Sequence, residues 1–62
     1  MTPQQYVMNR RLQRAQFLLL NSAMSLAAVA DEVGFADASS FSRAYKSRFK
    51  ATPGSVRAAR RP

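Results

Sequence analysis

A single glycine, Gly34, separates two runs of helical period in a chain of 62 residues, and few arrangements of so short a chain accommodate that. Before it, Leu26, Val29, Ala30 and Val33 recur at i, i+3, i+4 and i+7, the stripe of one helix face. Beyond it, Phe41, Ala44, Tyr45, Arg48 and Phe49 share one side of a second helix, while Ser39, Ser42, Arg43, Lys46 and Lys50 share the other. Gly34 suits a left-handed backbone that a side chain would make costly, so the first helix is expected to stop there. Ser25 and Asp37 stand where the two helices need N-caps, with Asp37 placed to accept the backbone N–H of Ser40. Phe35 is expected to drop into the core and pin the turn.

The segments on either side read as helices too. Thr2, Pro3 and Gln5 form a start signal: threonine caps, proline takes the first helical position, and glutamine reaches back as in a capping box. The helix they open is expected over 3–20, with Met8, Leu12, Ala15 and Leu19 as its apolar stripe and Tyr6, Val7, Leu18 and Leu20 widening it. A short connector leads to Ser25. Thr52 and Pro53 repeat the opening device, and a closing helix is expected over 53–60. The fold class is therefore all-α, about four helices, in one small domain over 1–62.

A chain of this size buries only about 60% of the surface its unfolded form exposes, so its stability margin is thin. It contains no cysteine or histidine, which excludes disulfides, thiolate nucleophiles and zinc sites built from those ligands. Asp37 has no second carboxylate or histidine to work with, so its role is geometric: it fixes where the second helix begins. No nucleophile with a base, no metal cluster and no glycine-rich phosphate loop can be assembled, and the chain is expected to be no enzyme, with no catalytic residue, metal or cofactor. The run from Met1 to Asn9 is too short and too polar for a signal peptide or a membrane span, so a cytoplasmic protein is expected.

Ten basic residues against three acids give a formal charge of +7, which draws the chain to polyanions. Asp31, Glu32 and Asp37 are all the acids, and they lie close together in sequence. Asp31 and Glu32, near a helix C-terminus where the dipole disfavours them, are expected to face solvent or pair with an arginine; a surface for RNA polymerase is the functional alternative. Arg10, Arg11 and Arg14 lie together on one flank of the first helix; a solvated face is expected for Arg10 and Arg14, with phosphate contact by either as the alternative. Arg57, Arg60 and Arg61 make the C-terminal end basic, for phosphates or as a solvated tail. Two short helices across a glycine turn, the second basic on its outer side, make a helix-turn-helix able to lay its second helix in the major groove of double-stranded DNA. The aromatic residues sit at core spacing, so Phe35, Phe41, Tyr45 and Phe49 are assigned to packing and not to base stacking.

The order TPQQYV, RLQRAQFLL, SLAAVADEVGFADASSFSRAYKSRF and TPGSVR closely resembles the C-terminal DNA-binding region of the AraC/XylS family of bacterial transcription regulators. The matching positions are Thr2, Pro3, Tyr6, Arg11, Leu12, Ala15, Val29, Ala30, Gly34, Phe35, Phe41, Ser42, Arg43, Thr52, Pro53 and Arg57. Members of that family carry two helix-turn-helix units joined by a long helix. The resemblance implies that this chain holds the joining helix (3–20), the second unit (25–49) and the closing helix (53–60). The first unit and any effector-sensing domain would then lie outside it, in a longer parent or lost by truncation of the gene. Two departures stand out: Lys50 replaces a frequent glycine just after the second helix, and Val56 replaces the usual tyrosine of the closing helix.

The family pattern implies base-facing roles for Ala38, Ser39, Ser42 and Arg43, and phosphate contacts for Arg43, Lys46, Lys50 and Arg57. The expected partner is double-stranded DNA in the bacterial nucleoid, with RNA polymerase as a further partner and a small-molecule effector acting only through a domain beyond this chain. The competing readings are a helical interaction module that contacts RNA polymerase with incidental DNA affinity, and a cationic membrane binder. Short, capped helices speak against the latter.

Overall fold

The computed structural model describes residues 2–59, which form four helices: α1 Pro3–Asn21, α2 Leu26–Glu32, α3 Ala38–Phe49 and α4 Pro53–Ala59. Every start is made by the side chain next to it. Thr2 Oγ1 accepts from Gln5 N at 3.1 Å while Gln5 Oε1 accepts from Thr2 N at 3.1 Å, a complete capping box. Ser25 Oγ accepts from Ala28 N at 3.1 Å, Asp37 Oδ1 from Ser40 N at 2.7 Å, and Thr52 Oγ1 from Ser55 N at 3.2 Å. Each bond satisfies one of the backbone donors that a helix leaves orphaned in its first turn.

Gly34 ends α2 as its position foretells. It adopts φ 98°, its N–H donates to Asp31 O, and Phe35 N donates to Ala30 O at 2.8 Å. The paired bonds are a Schellman motif, and Phe35, two residues past the cap, turns back against the core. A Cβ at Gly34 would make only ordinary contact, at 3.4 Å, with the Arg11 guanidinium carbon, so it is the positive φ and not lack of space that calls for glycine here.

The core takes Leu12, Ala15 and Leu19 from α1, Val29 and Ala30 from α2, Val33 from the turn, and Phe41 and Tyr45 from α3. α4 adds Pro53, fully buried, with Val56 packed at the edge. Along the inner side of α3 the rings form a continuous ladder: Phe35 to Phe41 at 5.5 Å between centroids, Phe41 to Tyr45 at 5.8 Å, and Tyr45 to Phe49 at 4.6 Å. Phe41 and Tyr45 are fully buried, and Phe35 and Phe49 are half-buried at the two ends. The Tyr45 hydroxyl is buried with no hydrogen bond. Burial pushes its pKa up, and Gln16, which opposes that shift, approaches at a geometry short of a hydrogen bond.

One expectation needs correction, and one open boundary is decided. Tyr6, Val7 and Leu20 do not widen the buried stripe of α1 but are 55%, 46% and 39% exposed. The fully buried residues of α1 lie between Leu12 and Leu19, the stretch its partner helices cover. At Lys50, where the chain could either have run on helically or turned left-handed, it turns: φ is 61° and ψ 23°, and Lys50 N donates to Lys46 O at 2.8 Å. Arg60 and Arg61 lie outside the described residues.

Candidate nucleic-acid interface

The ring ladder fixes which side of α3 is left over. With Phe41 and Tyr45 turned inward, the opposite edge carries Ser39, Arg43, Lys46 and Ser47, all exposed, with Ala38 and Ser42 half-buried beside them. Ala38, Ser39, Ser42 and Arg43 together line one shallow open depression at the N-terminal half of the helix. The structure thus brings the four candidate base-facing residues to a single surface.

Asp37 stands at the end of that surface. Its carboxyl is held below the usual value of 3.8 chiefly by the bond from the Ser40 backbone, with the charge of Arg43 adding to the effect. It is therefore an anion at neutral pH, committed to the cap. Arg43 lies near enough to feel it, yet among the described residues Arg43, Lys46 and Lys50 make no side-chain hydrogen bond or salt bridge. These three cations face outward and are available to a ligand.

Three other arginines, Arg14, Arg48 and Arg57, are engaged within the fold. Arg14 Nη2 lies 3.5 Å from Glu32 Oε1, an exposed ion pair between α1 and α2 of the kind expected for that acid. Arg48 Nε donates to Asn9 Oδ1 at 3.1 Å, and its guanidinium lies over the Phe49 ring. Arg57 departs from its expected place on phosphate. Its Nε donates to Leu19 O at 3.4 Å, Nη2 to Ser22 O at 3.2 Å and Nη1 to Met24 O, so each of its three nitrogens donates inward. The signal was present in its spacing from Pro53: four residues on, it shares the inward face of α4. Among the described residues no helix is long and apolar enough to cross a membrane.

A family model described as a helix-turn-helix domain matches residues 1–59. Over 56 residues the chain is 41% identical to the HTH-type transcriptional regulator ExsA of Pseudomonas aeruginosa, a match covering 90% of this chain and 20% of that protein. It is 39% identical over 56 residues to the virulence regulon transcriptional activator VirF of Yersinia enterocolitica, covering 90% and 21% of the two chains. With the Msm operon regulatory protein of Streptococcus mutans the identity is 38% over 53 residues, covering 86% and 19%. The chain therefore spans about a fifth of the length of the curated relatives it matches. No solved structure matches it significantly.

Proposed function

The chain belongs to the AraC-type helix-turn-helix family of transcription regulators, and we propose on that premise that α3 is its recognition helix, entering the major groove of double-stranded DNA. The observation that carries this reading is the division of α3 into two sides: an aromatic ladder sealed inward, and an outward edge bearing Ser39, Arg43 and Lys46. Ala38, Ser39, Ser42 and Arg43 then face base edges. Ala38 offers a methyl to thymine, and the serines donate or accept with several bases, so neither type discriminates sharply. Arg43 is the one side chain here able to make a bidentate guanine contact, worth about 1 to 3 kcal/mol of discrimination. The family pattern favours a phosphate role for it, and Lys46 and Lys50 join it there. Arg57 is withdrawn from that set by its inward bonds.

Neutralising three phosphates gives a log–log slope of affinity against salt of about −3. A single module of this kind buries roughly 600 to 1,000 Å² of protein surface, so specific recognition draws on a second unit or a partner subunit. We read the chain as one domain of a larger regulator, a binding module and not an enzyme, working in the bacterial cytoplasm at the nucleoid. Any effector sensing belongs to the four-fifths of the relatives that this chain does not span.

The test is a salt titration of binding to a random-sequence duplex. Arg43→Ala should weaken binding to every sequence and reduce the slope by about one. Unchanged affinity at low salt would overturn the docking. Salt-insensitive association with RNA polymerase, without any DNA shift, would favour the interaction-module reading in its place.

A further inference from the structure

The local devices at the end of α1 reach only Phe17 and Leu18: Asn21 Nδ2 donates to Phe17 O at 3.0 Å, and the Ser22 N–H and Oγ donate to Leu18 O at 3.0 and 2.7 Å. There is no glycine between Asn21 and Ser25, no basic residue in the last helical turn, and Ser22 leaves the helix in extended conformation at φ −141°. A cation from the far end of the chain reaches the carbonyls that follow. Arg57 reaches from α4 to the carbonyls of Leu19 in the last turn, Ser22 at the cap, and Met24 immediately before the Ser25 cap of α2. One planar group thus touches the helix end, the connector and the threshold of the next helix.

We propose that Arg57 is a positioning residue that sets the angle between α1 and the helix-turn-helix. Three carbonyls facing one guanidinium fix the connector in a single conformation, because the fork presents its donors in a rigid plane. The cation also lies at the negative end of the α1 dipole, where positive charge is favoured. Since Met24 directly precedes the α2 cap, fixing Met24 O fixes where α2 starts and how it leaves α1. α4 depends on the same contact: it is seven residues long with Pro53 its one fully buried residue, so Arg57 is the main polar tie holding it to the rest of the fold. Lysine, a point charge on a flexible stem, cannot span the three acceptors at once.

The chain has no cysteine, so a nitroxide pair can be introduced cleanly at two exposed positions, Gln4→Cys on α1 and Ala27→Cys on α2. The distance distribution between the labels should be narrow with Arg57 in place and clearly broader in Arg57→Ala and in Arg57→Lys. A side chain needed only for local packing or charge would leave the lysine variant as narrow as the parent, and that result overturns the proposal. Should the alanine variant fail to fold, the lysine variant carries this arm, with helicity by circular dichroism as its control. A second arm rests on the DNA reading and is scored separately: the salt slope on a random duplex should be the same for Arg57→Ala as for the parent. A slope reduced by about one would return Arg57 to the phosphates and overturn the assignment.

Discussion

The Arg48 guanidinium lies 5.2 Å from the centroid of the Phe49 ring and is held there by the bond from its Nε to Asn9 Oδ1. The contact crosses from α3 to α1 and closes the end of the aromatic ladder. A cation over a ring at an exposed site is worth about 0.5–1 kcal/mol. Arg48→Ala should therefore lower the melting temperature by a few degrees while leaving the salt slope of DNA binding untouched. Arg43→Ala should do the reverse, and a calorimetric scan run beside the salt titration distinguishes the two. A fall in slope for Arg48→Ala would place that cation on DNA after all.

Lys50 carries two opposed effects in one residue. Its left-handed backbone strains a side-chain-bearing residue by about 1–2 kcal/mol, which glycine would relieve in large part. In the proposed docking, its exposed ammonium also meets phosphate. Lys50→Gly should thus raise the melting temperature by several degrees and at the same time weaken DNA binding at low salt. Thermal unfolding and anisotropy on the same sample check both halves. A destabilised Lys50→Gly protein would mean that the strain is not where the backbone places it.

The two glycines of the chain should respond in opposite directions. At Gly34 the backbone is left-handed, a conformation that strains a side-chain-bearing residue even though a Cβ would make only ordinary contact with the Arg11 guanidinium, so Gly34→Ala should cost about 1–2 kcal/mol. At Gly54, in the first turn of α4, a Cβ would meet only Leu26 Cδ1 at 3.8 Å, an ordinary contact. Gly54→Ala should stabilise the fold by about 0.4–1 kcal/mol, chiefly by reducing the freedom of the unfolded chain. Urea midpoints for the two variants against the parent test the pair.

What could be read in the sequence was what depends on near neighbours. Each cap bonds within three residues, so Thr2, Ser25, Asp37 and Thr52 announced the helix starts. The Gly34 stop was equally local. The inward and outward sides of α3 followed from periodicity, because a ladder of four rings leaves only one side to cover. The misreadings concern distance. Periodicity marked Tyr6, Val7 and Leu20 as apolar but could not say how far the partner helices reach along α1. Composition marked Arg57 as cationic but could not say that the end of a helix 35 residues earlier, at Ser22, would claim it. Charge counting treats arginines alike, whereas the fold employs Arg14, Arg48 and Arg57 internally and leaves Arg43, with Lys46 and Lys50, outward.

Tyr45 offers a test of the core that does not involve DNA. Its hydroxyl is buried without a hydrogen bond, a state that costs about 1–3 kcal/mol relative to a satisfied group. Tyr45→Phe removes that oxygen while keeping the ring between Phe41 and Phe49, so stability should hold or rise at neutral pH. The pH dependence adds a second signature. Because the folded state holds the phenol proton more tightly than the unfolded chain, whose value is about 10, the unfolded state releases it first as pH rises. The stability linked to Tyr45 is therefore fully present below pH 10 and is lost as the pH climbs through the raised folded value. Unfolding midpoints measured at increasing alkaline pH should fall more steeply for the parent than for Tyr45→Phe. Parallel limbs would mean that the hydroxyl meets solvent or a partner in solution, and that the ring ladder is packed less tightly around it than the structure shows.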